Sequence, residues 1–194
     1  MKFFKQHSYD IVKLFINQIG IAIFGLVLTM ASAMMQDKYG DTLGVCVSIF
    51  SVLFYLYLVY VLIWDVGAKD KIRIDAGRLT YNRYHGFKLM LFAQIPSLFF
   101  AALLWLGAIF KVIGGGFFDS LGGILYSIGL PLAWGLDAMY LGLLDLVFNR
   151  DMYLLCALLF TLTSLPALGV CAIGYVLGVK DIRFLTGPQT PKND

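Results

Sequence analysis

The sequence predicts an all-α integral membrane protein, organised as one polytopic domain over residues 1–179. Its residues are 60% apolar and only 14% charged, whereas soluble domains average about 25% charged. About 20 apolar residues cross a bilayer as a helix, and lipid offers the backbone no hydrogen-bond partner outside a helix. The runs without any charged residue that are long enough to do so include Leu43–Trp64 with 22 residues, Leu89–Phe110 with 22 and Met152–Val179 with 28. We therefore predict four full transmembrane helices, at about 14–35, 43–64, 89–110 and 152–179, and a broken segment at 112–148.

The N-terminal 13 residues are typical of an interfacial segment on the cytoplasmic face. They combine three lysines with aromatic side chains, which suit lipid headgroups and the membrane boundary: Lys2, Lys5 and Lys13 with Phe3, Phe4 and Tyr9. The first predicted span, 14–35, follows directly. A cleaved signal peptide is an alternative interpretation, because Ala31-Ser32-Ala33 has the small-residue form of a cleavage site.

A charged loop at 65–88 follows the second span and holds six of the chain's fifteen Lys and Arg residues. Gly67 is placed to end the preceding helix. The polar–apolar alternation of Lys71–Asp75 predicts a short extended segment. We expect this loop to lie in the cytoplasm between two membrane hairpins.

The segment 112–148 is apolar, but eight Gly, one Pro and three Asp interrupt it. Irregular backbone at membrane depth requires cover by protein or a water-filled cavity. We expect a re-entrant or interfacial helical segment that bends near Gly129–Pro131, with helix resuming over Ala133–Phe148. A fifth transmembrane helix over 120–144 is the alternative.

The last span contains Gly174 and Gly178, a GxxxG spacing that allows another helix to approach closely. Residues 180–194 form a polar tail that we expect to be flexible. The residues around Gly178-Val179-Lys180-Asp181 resemble those around Gly67-Ala68-Lys69-Asp70, so both helices should end on the same side of the membrane.

Charge placement favours four spans over five. With the N-terminus inside, four spans leave twelve Lys and Arg residues in the cytoplasm and three outside, whereas five spans give ten and five. Cytoplasmic loops carry an excess of Lys and Arg. The sequence thus predicts that the N-terminus, the 65–88 loop and the C-terminus share the cytoplasmic side.

The central loop is the first candidate site. Its mixed charges suit specific pairing with a membrane or cytosolic protein better than a purely basic lipid anchor would. The candidate docking residues are Lys69, Asp70, Lys71, Arg73, Asp75 and Arg78. The alternative is that this loop only sets topology and contacts anionic lipid.

The second candidate site is a polar recess with Asp137 and Asp145. Eight residues apart, these acids would lie about 80° apart on one helix and could line one side of a cavity. We expect Asp137 to point toward protein or water. The alternative is that both acids mark the polar face of an interfacial helix.

The sequence offers no catalytic constellation, so we do not expect an enzyme. Walker A, HExxH and GxSxG motifs are absent, and neither His lies in a Cys or Glu cluster. The three Cys residues fall inside apolar runs without CxxC spacing, so we expect no metal or cofactor. The cations lie in loops and indicate topology, not nucleic-acid binding.

We expect a multi-pass protein of the cell membrane, with the lipid bilayer as its surroundings. We expect its role to be that of an accessory or structural membrane subunit with a cytoplasmic docking loop. The alternative is a transporter or substrate-binding membrane subunit that uses the segment 112–148, for a small molecule that the sequence does not identify.

Overall fold

The computed structural model describes residues 2–35, 42–147 and 152–182. Over these residues the chain is helical and contains no strand, which confirms the predicted all-α class. The helices are α1 Lys2–Met34, α2 Thr42–Asp75, α3 His85–Ala93, α4 Ile95–Ile113, α5 Gly116–Leu136, α6 Leu141–Val147, α7 Tyr153–Leu162 and α8 Ser164–Val179. A 3₁₀ turn, Ala138–Tyr140, joins α5 to α6.

Five helical stretches of the described chain are long and apolar enough to cross a membrane, so the protein is a membrane protein. They are His7–Met34, Thr42–Asp75, Ile95–Ile113, Gly116–Leu136 and Tyr153–Val179. A shorter apolar stretch, Ala138–Val147, follows the fourth. Four correspond to the predicted full spans, and Gly116–Leu136 lies in the predicted broken segment.

Four helix ends meet at one end of the bundle. The ring of His7 in α1 lies 4.5 Å from that of His85, the first residue of α3. Near the ends of α2 and α8, the Tyr175 hydroxyl donates to Asp70 at 3.1 Å. We call this the His7 end. Because the first helix starts here and the last helix ends here, the chain crosses the bundle an even number of times.

The segment after α5 reverses direction inside the bundle. α4 leads away from the His7 end, and α5 packs along it as the next helix of a hairpin. After α5, the backbone of Met139 lies against Gly25, and that of Gly142 lies against Gly44, near the start of α2. The chain therefore returns toward the end opposite His7, as expected for a re-entrant segment.

The position of this reversal differs from the prediction. α5 continues through Pro131 without a break, and the chain turns at Asp137, which ends α5 with φ −108° and ψ 24°. A proline removes only one helical hydrogen bond, the one to the residue four positions earlier. The remaining bonds keep the helix intact through Gly129–Pro131, and only the part from Leu141 to Val147 is α-helical again.

The helix α2 is longer than predicted and takes up half of the expected loop. It extends to Asp75, so Lys71–Asp75 is helical and not extended. Gly67 does not end the helix: a Cβ atom there would lie 2.5 Å from the Tyr175 carbonyl oxygen. This glycine allows α2 and α8 to touch, and the non-helical loop is confined to residues 76–84.

The N-terminal segment is described by the structure, whereas parts of the other predicted non-helical segments are not. Residues 2–13 of the predicted interfacial segment form the start of α1, which is kinked at His7, where φ is −118° and ψ is 18°. The predicted tail lies outside the described residues from position 183 onward, as do the turn at 36–41 and residues 148–151.

Candidate functional site

The first polar cluster lies at the His7 end and joins four helices: His7 of α1, Asp70 of α2, His85 of α3 and Tyr175 of α8. Asp70 is only 2% exposed. Its carboxylate accepts the Tyr175 hydroxyl at 3.1 Å and lies 3.7 Å from Nε2 of His85. Arg73 approaches the other carboxylate oxygen at 3.4 Å. These contacts hold the end of α2 against α3 and α8.

The two histidines of this cluster contact each other edge to face. Burial lowers the pKa of His85, and the neighbouring His7 lowers it further. The carboxylate of Asp70 acts in the opposite direction but is outweighed. His85 lies before the apolar stretch that begins at Leu89, at the edge of the bundle. The cluster thus contains a histidine that prefers to stay neutral.

The predicted docking residues separate into one buried and five surface residues. Asp70 belongs to the buried cluster and is not available to a partner, because Tyr175 covers it. The other five lie on the surface of the last turns of α2 and the loop that follows: Lys69, Lys71, Arg73, Asp75 and Arg78. The burial of Asp70 could not be predicted from the sequence, because the residues around it are charged.

Several of these surface residues already have partners. Lys69 pairs with Asp65 at 2.6 Å, one helical turn earlier, and Lys71 lies 3.6 Å from Asp181 after α8. The loop beyond α2 adds two exposed aromatic side chains that the sequence did not single out, Tyr81 and Tyr84.

The second predicted site is also divided by the structure. Asp137 is 5% exposed at the end of α5, whereas Asp145 lies on the surface of α6. The 3₁₀ turn between them breaks the helix on which the predicted 80° separation depended, so the two acids do not line one recess.

Asp137 instead belongs to a mid-bundle cluster, which consists of Tyr55, Gln94, Asp137, Tyr140 and Thr163. Thr163 is a polar neighbour of the Asp137 carboxylate, and its hydroxyl donates to the Phe160 carbonyl at 2.7 Å. Tyr55 has Gln94, Asp137 and Tyr140 as polar neighbours. All five side chains are buried. Sequence reasoning missed Tyr55 and Tyr140, because aromatic residues in membrane helices are usually assigned to the boundary.

Three breaks in the backbone meet at this cluster. α3 ends and α4 begins at Gln94, α7 ends and α8 begins at Thr163, and α5 ends at Asp137. The amide nitrogen of Gln94 donates to the Ser164 carbonyl at 3.4 Å, which joins two of these breaks directly. Prolines follow both, at Pro96 and Pro166, and a proline cannot complete the helical bond across the break.

Among the described residues, no group of three or more His, Cys, Asp or Glu side chains is placed to hold a metal ion. The mid-bundle cluster therefore offers one carboxylate surrounded by neutral oxygen atoms. Comparison of the chain with protein-family models, curated proteins and solved structures gave no match.

Proposed function

We propose that the protein is an accessory subunit of the cell membrane that presents a rigid helical arm of mixed charge to a cytosolic protein of complementary charge. The observation that supports this is the continuation of α2 beyond Trp64. Residues 65–75 extend the helix by 11 residues, or about 16 Å. We call them the α2 arm.

The arm is fixed to the bundle at two points. Gly67 lies against the backbone of α8, and Asp70 accepts the hydroxyl of Tyr175 in α8. A surface that is already ordered loses less conformational entropy when it binds than a flexible loop does. This favours a docking role over that of a loose topological linker.

The surface of the arm and of the loop that follows it suits a partner of complementary mixed charge. Lys69, Lys71 and Arg73 lie on the arm and Arg78 follows in the loop, beside the exposed rings of Tyr81 and Tyr84. Arginine and tyrosine are enriched in protein interfaces. Each of the three cations of the arm lies within 4.0 Å of an acid: Asp65, Asp70 or Asp181. This mixed pattern favours specific pairing over general attraction to lipid.

Removing cations from the arm tests the docking proposal. We expect the triple change of Lys71, Arg73 and Arg78 to Gln to abolish co-purification of the partner in mild detergent, while membrane insertion is unchanged. Lys69, Arg83 and Lys88 remain to maintain orientation.

Lys111→Gln serves as the control, because this lysine lies at the other end of α4 and pairs with Asp119 at 3.6 Å. It should retain the partner. The proposal is wrong if the triple variant captures the same proteins as the wild type. Loss of binding to anionic vesicles alone would favour the lipid interpretation.

A second candidate function is that of a transporter or substrate-binding membrane subunit that uses the segment 112–148. The burial of Asp137 within the bundle favours it, since ionisable residues inside membrane proteins are costly and commonly functional.

A further inference from the structure

We propose that the mid-bundle cluster binds a small monovalent metal cation, of the Na⁺ or K⁺ class. The Asp137 carboxylate would supply the charge, and Tyr55, Gln94, Tyr140 and Thr163 the neutral oxygens. This site deepens the second candidate function by naming a ligand class. It does not depend on the α2 arm, which lies at the His7 end.

Within the described part of the chain, the carboxylate of Asp137 is buried without a basic side chain beside it. Among the described residues, Asp137 has no basic side chain within 4.0 Å. The acids that do form ion pairs at this distance are Asp10, Asp65, Asp70, Asp119 and Asp181. An ionised carboxylate in a low-dielectric interior needs a compensating positive charge. One carboxylate matches a monovalent cation, whereas sites for divalent cations usually combine several carboxylates.

Three buried oxygen atoms of the mid-bundle cluster make no hydrogen bond to the part of the chain that the structure describes. Within the described chain, the Tyr55 and Tyr140 hydroxyls and the Gln94 amide oxygen have no partner of good geometry. Tyr55 is 1% exposed, Gln94 2% and Tyr140 7%. Leaving such groups unpaired destabilises the fold. Three of them beside one buried acid indicate that they serve a ligand.

Gln94 has one engaged and one unengaged amide atom. Its amide nitrogen donates to the Ser164 carbonyl, and its amide oxygen is buried without a hydrogen bond to any described residue. Tyr55 has both Gln94 and Asp137 among its polar neighbours. The cluster therefore contributes oxygen atoms from four separate parts of the chain: α2, the α3–α4 break, the α5–α6 turn and the α7–α8 break.

The backbone provides a further argument. Three helices, α3, α5 and α7, end at the cluster, at Gln94, Asp137 and Thr163. Carbonyl groups at a helix C-terminus carry partial negative charge and favour cations. This applies to the end of α5, since α4 and α8 begin directly after Gln94 and Thr163 and their N-termini offset the charge of α3 and α7. Broken helices at membrane depth are a recurrent architecture of cation sites. Side-chain charge, side-chain oxygens and the end of α5 thus favour the same kind of ligand.

Thermal unfolding of the full chain in nanodiscs tests this proposal. NaCl and KCl are compared with choline chloride at constant ionic strength, with tryptophan fluorescence as the readout. At about 100 times the dissociation constant, a specific cation should raise Tm by roughly 5–10 °C. The cation concentration needed should increase at lower pH, because protons compete for the carboxylate.

Two Asp variants make the test specific. Asp137→Asn should lose the response to Na⁺ and K⁺, while Asp145→Asn, whose carboxylate is exposed on the next helix, should keep it. Tyr55→Phe retains the ring but removes one oxygen, and should raise the required cation concentration by about tenfold.

The proposal is overturned if the wild-type Tm is the same in all three salts, or if Asp137→Asn responds as the wild type does. If Asp137→Asn does not fold, the Tyr55→Phe titration decides, and an unchanged midpoint contradicts the proposal. A cation response without any transport of the ion would contradict the second candidate function but leave the binding site intact.

Discussion

Two buried aspartates differ in how the protein accommodates them. Asp70 accepts hydrogen bonds from Tyr175 and Arg73, and Nε2 of His85 lies 3.7 Å from its carboxylate. Asp137 has Thr163 as a polar neighbour. The sequence indicated Asp137, because an acid in an apolar run is conspicuous. It did not indicate the burial of Asp70, because its sequence neighbours are charged and the covering Tyr175 lies 105 residues away.

We expect the His7-end cluster to make stability depend on pH. His85 faces His7, Asp70, Asp10 and Lys88, and burial, the largest effect, lowers its pKa from the ordinary value of about 6.5. The neutral form is therefore favoured in the folded state. Stability is complete above about pH 6.5 and declines as the pH falls through the folded-state pKa.

Thermal unfolding of wild type and His85→Gln between pH 7.5 and 5.5 checks this prediction, all at the same ionic strength. Tm of the wild type should fall on acidification, and Tm of His85→Gln should fall less. An identical slope in the two proteins, or a wild-type Tm that rises on acidification, would contradict the assignment.

At the scale of helices, close glycine contacts determine how α2 and α8 pack. A Cβ atom at Gly178 would lie 3.1 Å from Gly67 Cα and would collide with the Trp64 carbonyl oxygen. The predicted GxxxG spacing of Gly174 and Gly178 therefore does lie in a helix–helix contact. Its partner surface includes Gly67, which the sequence pattern assigned to a helix end.

We expect Gly178→Ala to destabilise the protein by about 1–3 kcal/mol, the usual cost of overpacking. This corresponds to a decrease in Tm of roughly 2–12 °C. Gly169→Ala is the matched control in the same helix, because no atom lies within 4 Å of its added Cβ.

The control should leave Tm unchanged or raise it slightly, since alanine favours helices more than glycine does. Both variants are compared by thermal unfolding in the same detergent. Equal effects at the two positions would show that the α2–α8 contact is not as close as the backbone distances indicate.

The elements show what local sequence could and could not predict. Long apolar runs fix the existence of membrane helices, because length and hydrophobicity are local properties. The end of α2 and the turn at Asp137 depend on contacts with distant helices. The alternation at Lys71–Asp75 suits a strand as well as a charged helical turn, and Gly67 suits a helix end as well as a close contact.

Across the whole molecule, contacts between distant residues determine how the chain is threaded through the bundle. The contacts of His7, Asp70, His85 and Tyr175 place both ends of the bundle's chain on one side. The α5–α6 segment enters and leaves on the other side. The distribution of Lys and Arg predicted this arrangement, because charge asymmetry is a property of the entire chain and does not require knowledge of any contact.

Thiol labelling in intact cells tests this threading of the chain. In a background with Cys46, Cys156 and Cys171 changed to Ala, single cysteines replace exposed residues at the two ends of the bundle: Thr80, Asp119, Asp145 and Asp181. An impermeant maleimide should label positions 119 and 145 from outside, and positions 80 and 181 only after the cells are opened. Labelling of positions 119 and 145 from opposite sides, or of 80 and 181 from opposite sides, would contradict the re-entrant threading.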